Sequence, residues 1–459
     1  MSSTEPFARQ IPLPTHTFGF AFPAKAGTHR STTRSAERWI PAFAGCNLNG
    51  SAVAQSIPAW VFKLSDLLTA LVAMFLQQTF ASVGKVLPAV VAPLVIAELH
   101  ADPAWVGVYY GISAGASLFA QMGCGSFIIR YGALRMSQVA LVLLGGGMAA
   151  AAEGGLFGFG ASAIIGGGGA AVSTPTSSQL LGRVSPPRLA PLVFSLKQTA
   201  VPAGVLICGF LGSAMAAAWG WRGAMLATAA ACVAGAAMLQ PLRARFDDDR
   251  VPSRRFRLGD FRATIASVLT ARDLRALSFA CFAFNGVQSV FIAYFVTYLA
   301  ALGYELAAAG FLFSLVVAVA VPCRILWGWL GSFHVAPRLV MAGLAFGMAV
   351  SVAATGLFSA AWPIAAMGLV GAVVSATALS WHGILLSETA RLAPAGRVGT
   401  VTGGVLSFGQ IGALAGPLAF SLLLHLTGGY GAGWALCAVP AVWVGISLLR
   451  PRRLNGAKP

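Results

Sequence analysis

Acidic side chains are scarce in this sequence: 13 Asp and Glu stand against 30 Lys and Arg in 459 residues, and charged residues make up only 9% of the chain. So small a charged fraction cannot cover the surface of a soluble protein of this length. The seven cysteines form no CxxC pair and no ligand spacing. Six of them (Cys124, Cys208, Cys232, Cys281, Cys323, Cys437) sit in apolar runs and read as small core hydrophobes, so neither a disulfide framework nor a metal site is expected. No P-loop GxxxxGK[ST] occurs, which removes the usual signature of ATP hydrolysis, and no cofactor motif takes its place. Residues 1–62 lack the charged start and long apolar core of a signal peptide.

What is present is apolar. Hydrophobic residues make up 57%, and runs of about 20 of them, the length needed to cross a bilayer, recur from Asp66 to the end. We count twelve spans, at 67–96, 105–128, 134–153, 157–181, 191–217, 222–241, 275–300, 306–330, 337–358, 362–386, 399–425 and 432–449. The 54 glycines suit close helix packing in lipid. The net charge of +17 does not point to nucleic acid, because the arginines lie in alternate connections between spans. Nine of them (Arg243, Arg245, Arg250, Arg254, Arg255, Arg257, Arg262, Arg272 and Arg275) fill the one long polar segment. The other connections carry Glu98, Asp102, Glu153 and Glu305 with Arg222 as their only arginine. This asymmetry places both termini on the cytoplasmic side. The domains then read as an N-terminal bundle at 63–241, a basic linker at 242–274, a C-terminal bundle at 275–450 and a tail at 451–459. Residues 1–62, rich in Pro, Ser, Thr and Arg without period, read as a disordered or spurious extension; PAKAGTHRSTTRSAERWIPAFAG within them resembles the translation of an interspersed bacterial DNA repeat.

The stretch SLKQTAVPAGVLICGFLG, Ser195–Gly212, sets lysine, glutamine, proline and glycines inside an apolar run, and SFGQIGALAG repeats it faintly 212 residues later. Ser195, Gln198, Ala203 and Gly204 align with Ser407, Gln410, Ala415 and Gly416. Such a copy signals duplicated halves. Polarity recurs every third span: Gln77, Gln78 and Lys85 in the first, Ser173 to Gln179 in the fourth, Asn285 and Gln288 in the seventh, Ser380, Trp381 and His382 in the tenth. Polar groups are costly in hydrocarbon, so these spans are expected to face a shared interior, whereas the plainer spans three, six, nine and twelve can face lipid.

Two loops carry a family resemblance. GSFIIRYGALR, Gly125–Arg135, resembles the signature loop of the major facilitator superfamily of secondary transporters, with Gly125, Arg130, Gly132 and Arg135 matching and Ile129 where an acid is usual. RILWGWLGS, Arg324–Ser332, resembles its counterpart, with Ser332 in the acidic place. The resemblance spans Leu67 to Arg450 and implies an all-α, twelve-helix protein of two pseudo-symmetric bundles in the bacterial inner membrane, monomeric, in contact with the lipid bilayer and not an enzyme. It also implies that the loop's charge contact, which steadies one conformation, is altered here. SLKQTAVPAG and SWHGILLSETARLAPAGRVGTVTGG resemble a bacterial branch associated with cyanate, nitrate or small organic anions.

Lys85 is singled out as an anion-binding residue, with Gln78 seven positions earlier on the same helical face. A lysine snorkelling to the interface, or held in a structural pair, is the alternative. Lys197 and Gln198 read either as cavity wall or, for Lys197, as an interfacial anchor. Asn285 and Gln288 suit ligand orientation or interhelical bonding, His382 a proton carrier or a packing residue, Trp381 a ligand-flanking or a packed ring, and Gln410 is the repeat partner of Gln198. Pro202, Gly204, Gly416 and Pro417 suit helix bending, Glu388 and Arg391 an ion pair at a gate, Arg324 a structural contact, and Asp247–Asp249 a solvated acidic run. The expected function is transport of a small solute, an anion first, by alternating access, coupled to protons or to exchange. A drug-efflux carrier, a membrane enzyme such as a prenyl transferase and a non-transporting sensor are the alternatives.

Overall fold

The computed structural model describes residues 59–100 and 104–449; the extension at 1–58, the loop bearing Asp102 and the tail from 450 lie outside the described residues. Every long apolar run forms a helix. We label them α1 (Ala59–Leu99), α2 (Ala104–Tyr131), α3 (Ala133–Glu153) and α4 (Gly155–Val184). The next stretch, Ala190–Phe246, runs 57 residues with only single-residue turns at Thr199 and Leu239, about twice what one crossing needs. Gly220 breaks it, with φ +70° and ψ 170°, a conformation open to glycine alone. It therefore makes two spans, α5 at 190–219 and α6 at 221–238.

A short linker helix α7 (Gly259–Thr270) precedes α8 (Arg272–Ala301), α9 at 306–333, α10 (Pro337–Thr355), α11 (Ile364–Leu392), α12 (Val398–Thr427) and α13 (Tyr430–Leu449). Without α7 these are the twelve spans expected from the sequence. The first begins earlier than expected, so the boundary at residue 62 falls inside a helix.

The buried apolar side chains divide into two main clusters. One is built on Leu67, Met74, Leu141, Phe194, Trp221 and Met225, and the other on Phe284, Phe291, Phe295, Met348, Trp381 and Trp434. Leu68, Val72 and Leu76 leave an exposed apolar stripe on α1, and Phe210, Val350, Leu369 and Leu422 do the same elsewhere, as a lipid-facing surface requires. Contrary to expectation, α3 and α10 are not plain lipid-facing helices. Gly145 lies against the Ala229 carbonyl and Cys232 of α6, Gly445 of α13 lies against Phe346 of α10, and Gln138 donates to the Ala236 carbonyl at 2.8 Å. Small residues let these backbones approach and bury their faces.

The linker is docked. Asp247, expected in a solvated run, is buried and accepts from the N–H groups of Leu134 and Arg135 at 2.8 and 2.9 Å, capping the start of α3, where Gly132 at φ +94° makes room for it. Burial pushes its carboxyl pKa up despite those bonds. Asp248 and Asp249 pair with Arg183 at 2.7 and 2.9 Å. Asp260 accepts from Ser126 and Arg254, both at 2.6 Å, and Arg130 donates to the Arg254 carbonyl. The linker thus brings carboxylates to the loop in which Ile129 stands in the acid's place. At the opposite end Glu98 pairs with Arg222 and accepts from the Trp221 indole, which lowers its pKa.

Candidate functional site

The halves meet at the arginine-rich end. A methyl group at Gly403 of α12 would overlap the Gln121 carbonyl of α2, and one at Gly125 of α2 would overlap Thr400. Gly399 approaches the Pro175 carbonyl of α4, and its N–H donates to Gln179 at 2.8 Å. On the other side Gly328 of α9 and Gly383 of α11 both press on Ser195 of α5, and the Ser332 hydroxyl, in the acid's place, accepts from the Leu192 N–H at 3.0 Å. Among the described residues no hydrogen bond joins the halves away from this end. Gly111 and Gly115, in the opposite half of α2, face open space. The space between the bundles is therefore closed at the arginine-rich end and open at the other.

At its base lies a cluster built by broken helices. Pro202 has no N–H, so the Gln198 carbonyl four residues earlier loses its helical partner, and the helix interrupts at Thr199. In α11 the helix is interrupted between Ala378 and His382, which frees the Leu379 carbonyl. Arg324 takes both. Its Nη1 donates to the Gln198 carbonyl at 2.6 Å, and its Nε and Nη2 donate to the Leu379 carbonyl at 3.0 and 2.8 Å. One guanidinium of the second half thus caps a broken helix in each half. Irregular backbone at this depth is tolerated only where such donors satisfy it.

Lys197 sits beside it, 1% exposed. Its Nζ donates to Gln78 Oε1 at 2.8 Å and to Gln198 Oε1 at 3.1 Å, and Thr174 adds a bond to the same Gln78 oxygen. Lys197 is therefore no interfacial anchor. Gln78 is the middle residue of the apolar stretch Leu64–Ala92, so the ammonium is bonded at the centre of that stretch. His382, half-buried, stacks on Trp381, has an unpartnered Nδ1 and lies within Coulombic reach of both Arg324 and Lys197. Among the described residues no carboxylate pairs with Lys197, Arg324 or Lys85. Two buried cations held only by neutral oxygens are costly, several kcal/mol each, unless a counter-charge arrives.

The remaining sequence candidates spread out. Lys85 is exposed, two helical turns from Gln78 toward the open end, with Tyr110 donating to its carbonyl. Asn285 uses its donor on the Gly409 carbonyl at 2.8 Å, an interhelical bond within the second half. Gln288 is half-buried with Oε1 unpartnered, and Gln410 is half-buried. Trp381 is fully buried against Phe284 and presents no surface to the cavity. Gly204 packs on Ser82 and the Thr79 carbonyl, and Gly416 packs on the Gly286 backbone; Pro417 follows within the unbroken α12. Glu388 and Arg391 form a two-point ion pair at 2.6 and 2.7 Å. Arg135 donates to Gln138 at 3.2 Å. The sequence marked Ser195 and Thr174 only as polar residues of apolar runs, and it did not reveal the two freed carbonyls. The proline four residues after Gln198 was the available signal.

The profile of the Major Facilitator Superfamily matches residues 70–417. No curated protein sequence matches the chain. Three solved transporters are similar in structure. The human organic anion transporter MFSD10 (TETRAN) is 17% identical with a TM-score of 0.68, over 83% of this chain and 98% of that one. The fucose:proton symporter FucP, in the outward conformation, is 14% identical with a TM-score of 0.64, over the same shares; the same protein from E. coli gives 0.63. The proton:xylose symporter XylE bound to 6-bromo-6-deoxy-D-glucose is 14% identical with a TM-score of 0.62, over 84% and 95%.

Proposed function

The chain belongs to the Major Facilitator Superfamily and is a membrane transporter of a small solute, not an enzyme; from that premise we propose that the solute is a small organic or inorganic anion moved by alternating access. The observation that carries this reading is the buried pair Lys197 and Arg324 without a carboxylate. A sugar carrier needs no such charge, and a cation carrier would be repelled by it. Lys85 at the open end draws anions toward the pair, and the positive-inside rule makes the closed, arginine-rich end cytoplasmic. The two bundles, 63–241 and 275–450, rock about the site, and the glycine contacts of the closed end separate when it opens. Acidic residues of the described spans lie at helix ends or, for Glu388, in an ion pair, so exchange of one anion for another suits the chain better than proton coupling.

A second reading, efflux of an apolar compound, is favoured by one feature. A cavity of about 360 Å³ near the open end, between α1, α2 and α4, is lined by Pro88, Trp105, Tyr109, Tyr110, Leu156 and Phe159. Counterflow in proteoliposomes separates the two readings. With a panel of small carboxylates, nitrate and cyanate beside glucose, choline and a lipophilic dye, we expect uptake of anions only. Uptake restricted to glucose, choline or the dye contradicts the anion reading.

A further inference from the structure

We propose that the site is matched to a divalent anion, a dicarboxylate or an oxyanion such as sulfate. This rests on the anion reading above and deepens it. Lys197 belongs to the first bundle and Arg324 to the second. Gln198 lies between them, giving its backbone carbonyl to Arg324 at 2.6 Å and its side-chain oxygen to Lys197 at 3.1 Å. Each cation is thus bonded to one end of the same neutral residue, across the seam that must part and re-form.

Arg324 cannot shed its proton and makes three bonds to two backbone carbonyls, so it is a fixed charge. Lys197 is a mobile point charge whose two acceptors are amide side chains, Gln78 and Gln198, that can swing aside. The arrangement carries two buried positive charges, and no described carboxylate is bonded to either. A monoanion cancels one of them and leaves the other buried. A dianion cancels both, so the loaded site approaches neutrality while the bundles move. One unpartnered polar atom, Nδ1 of His382, belongs to a ring within Coulombic reach of both cations and is free to bond a remaining oxygen of such a ligand.

The test compares ligands of one size and two charges: succinate against butyrate, and sulfate against nitrate, in counterflow at neutral pH. Wild type is expected to exchange the divalent member of a pair at least about tenfold faster, equivalent to about 1.4 kcal/mol. Lys197→Gln, which keeps polarity and removes one charge, is expected to slow the divalent member of each pair at least about tenfold more than the monovalent one, erasing or inverting that preference. Arg324→Lys, which keeps the charge, is expected to retain it. Monodispersity and thermal midpoint are recorded for each variant, and Lys197→Gln alone suffices if Arg324→Lys does not fold. Equal or faster exchange of the monovalent member in both pairs overturns the inference, as does a Lys197→Gln protein that loses both members of a pair in the same ratio. Absence of any anion flux alongside neutral-solute flux would instead sink the anion reading on which it rests.

Discussion

The two seams that close the arginine-rich end make an instructive pair. Pseudo-symmetry relates the contact of α2 with α12 to that of α9 with α5, yet their chemistry differs. The first is closed by glycines: Gly403 on the Gln121 carbonyl, Gly125 on Thr400, Gly399 on the Pro175 carbonyl. The second also has glycine contacts, Gly328 on Ser195 and the Pro191 carbonyl, but adds a guanidinium on two freed carbonyls, with an ammonium beside it. Symmetry alone would give two seams of glycine contacts and no buried charge in either. One seam supplies a close-packed pivot, where van der Waals contact between backbones suffices. The other concentrates charge where charge is most expensive, and such residues mark a ligand path more readily than a scaffold.

Substitutions can break this contrast, and the largest effect belongs to Arg324→Ala. It strands the Gln198 and Leu379 carbonyls, each costing about 1–3 kcal/mol when unsatisfied, so a markedly lowered thermal midpoint in detergent and loss of transport are expected. Lys197→Gln separates site from scaffold. Exchange should fall about 100-fold, roughly the 2.7 kcal/mol of a lost charge-assisted bond, while the thermal midpoint holds or rises because an uncompensated charge is gone. A large loss of stability there would make Lys197 structural.

Gly403→Ala probes the glycine seam. Overpacking by one methyl costs about 1–3 kcal/mol, felt only when that end is closed. Exchange should slow, and a cysteine placed on the seam should become more reactive from the arginine-rich side; unchanged reactivity would mean that the seam is not a moving contact. The smallest effect is expected at the linker, with Asp260→Asn. Burial pushes the Asp260 carboxyl up, but the Ser126 hydroxyl, the Arg257 N–H and Arg254 outweigh it and hold the pKa below the ordinary value. A depressed folded pKa stabilises above the unfolded value and is lost as pH falls through the folded one, so the difference in thermal midpoint between wild type and Asp260→Asn should shrink below about pH 4.

Much of the fold was legible because hydropathy and arginine placement act locally along the chain. The Gly220 break, which divides α5 from α6, lay in a dip between two apolar runs. The site was legible only in part. Gln78, Lys197 and Gln198 announced themselves as polar residues in apolar runs, but Lys197 looked interfacial because depth depends on where the helix starts relative to its neighbours. The bond from Arg324 joins positions 126 residues apart, and no local pattern encodes it. The acid absent at Ile129 looked like a lost contact, whereas Asp247 and Asp260 reach the same loop from the linker, a substitution in space that spacing cannot reveal.

The central claim is that the transported solute meets Lys197. Equilibrium binding of a radiolabelled anion from the transported set, measured on purified wild type and on Lys197→Gln, tests it most directly. We expect saturable binding to wild type and affinity lowered about 100-fold in a variant of unchanged thermal midpoint. Equal affinity in the two proteins would contradict the account and place the solute elsewhere.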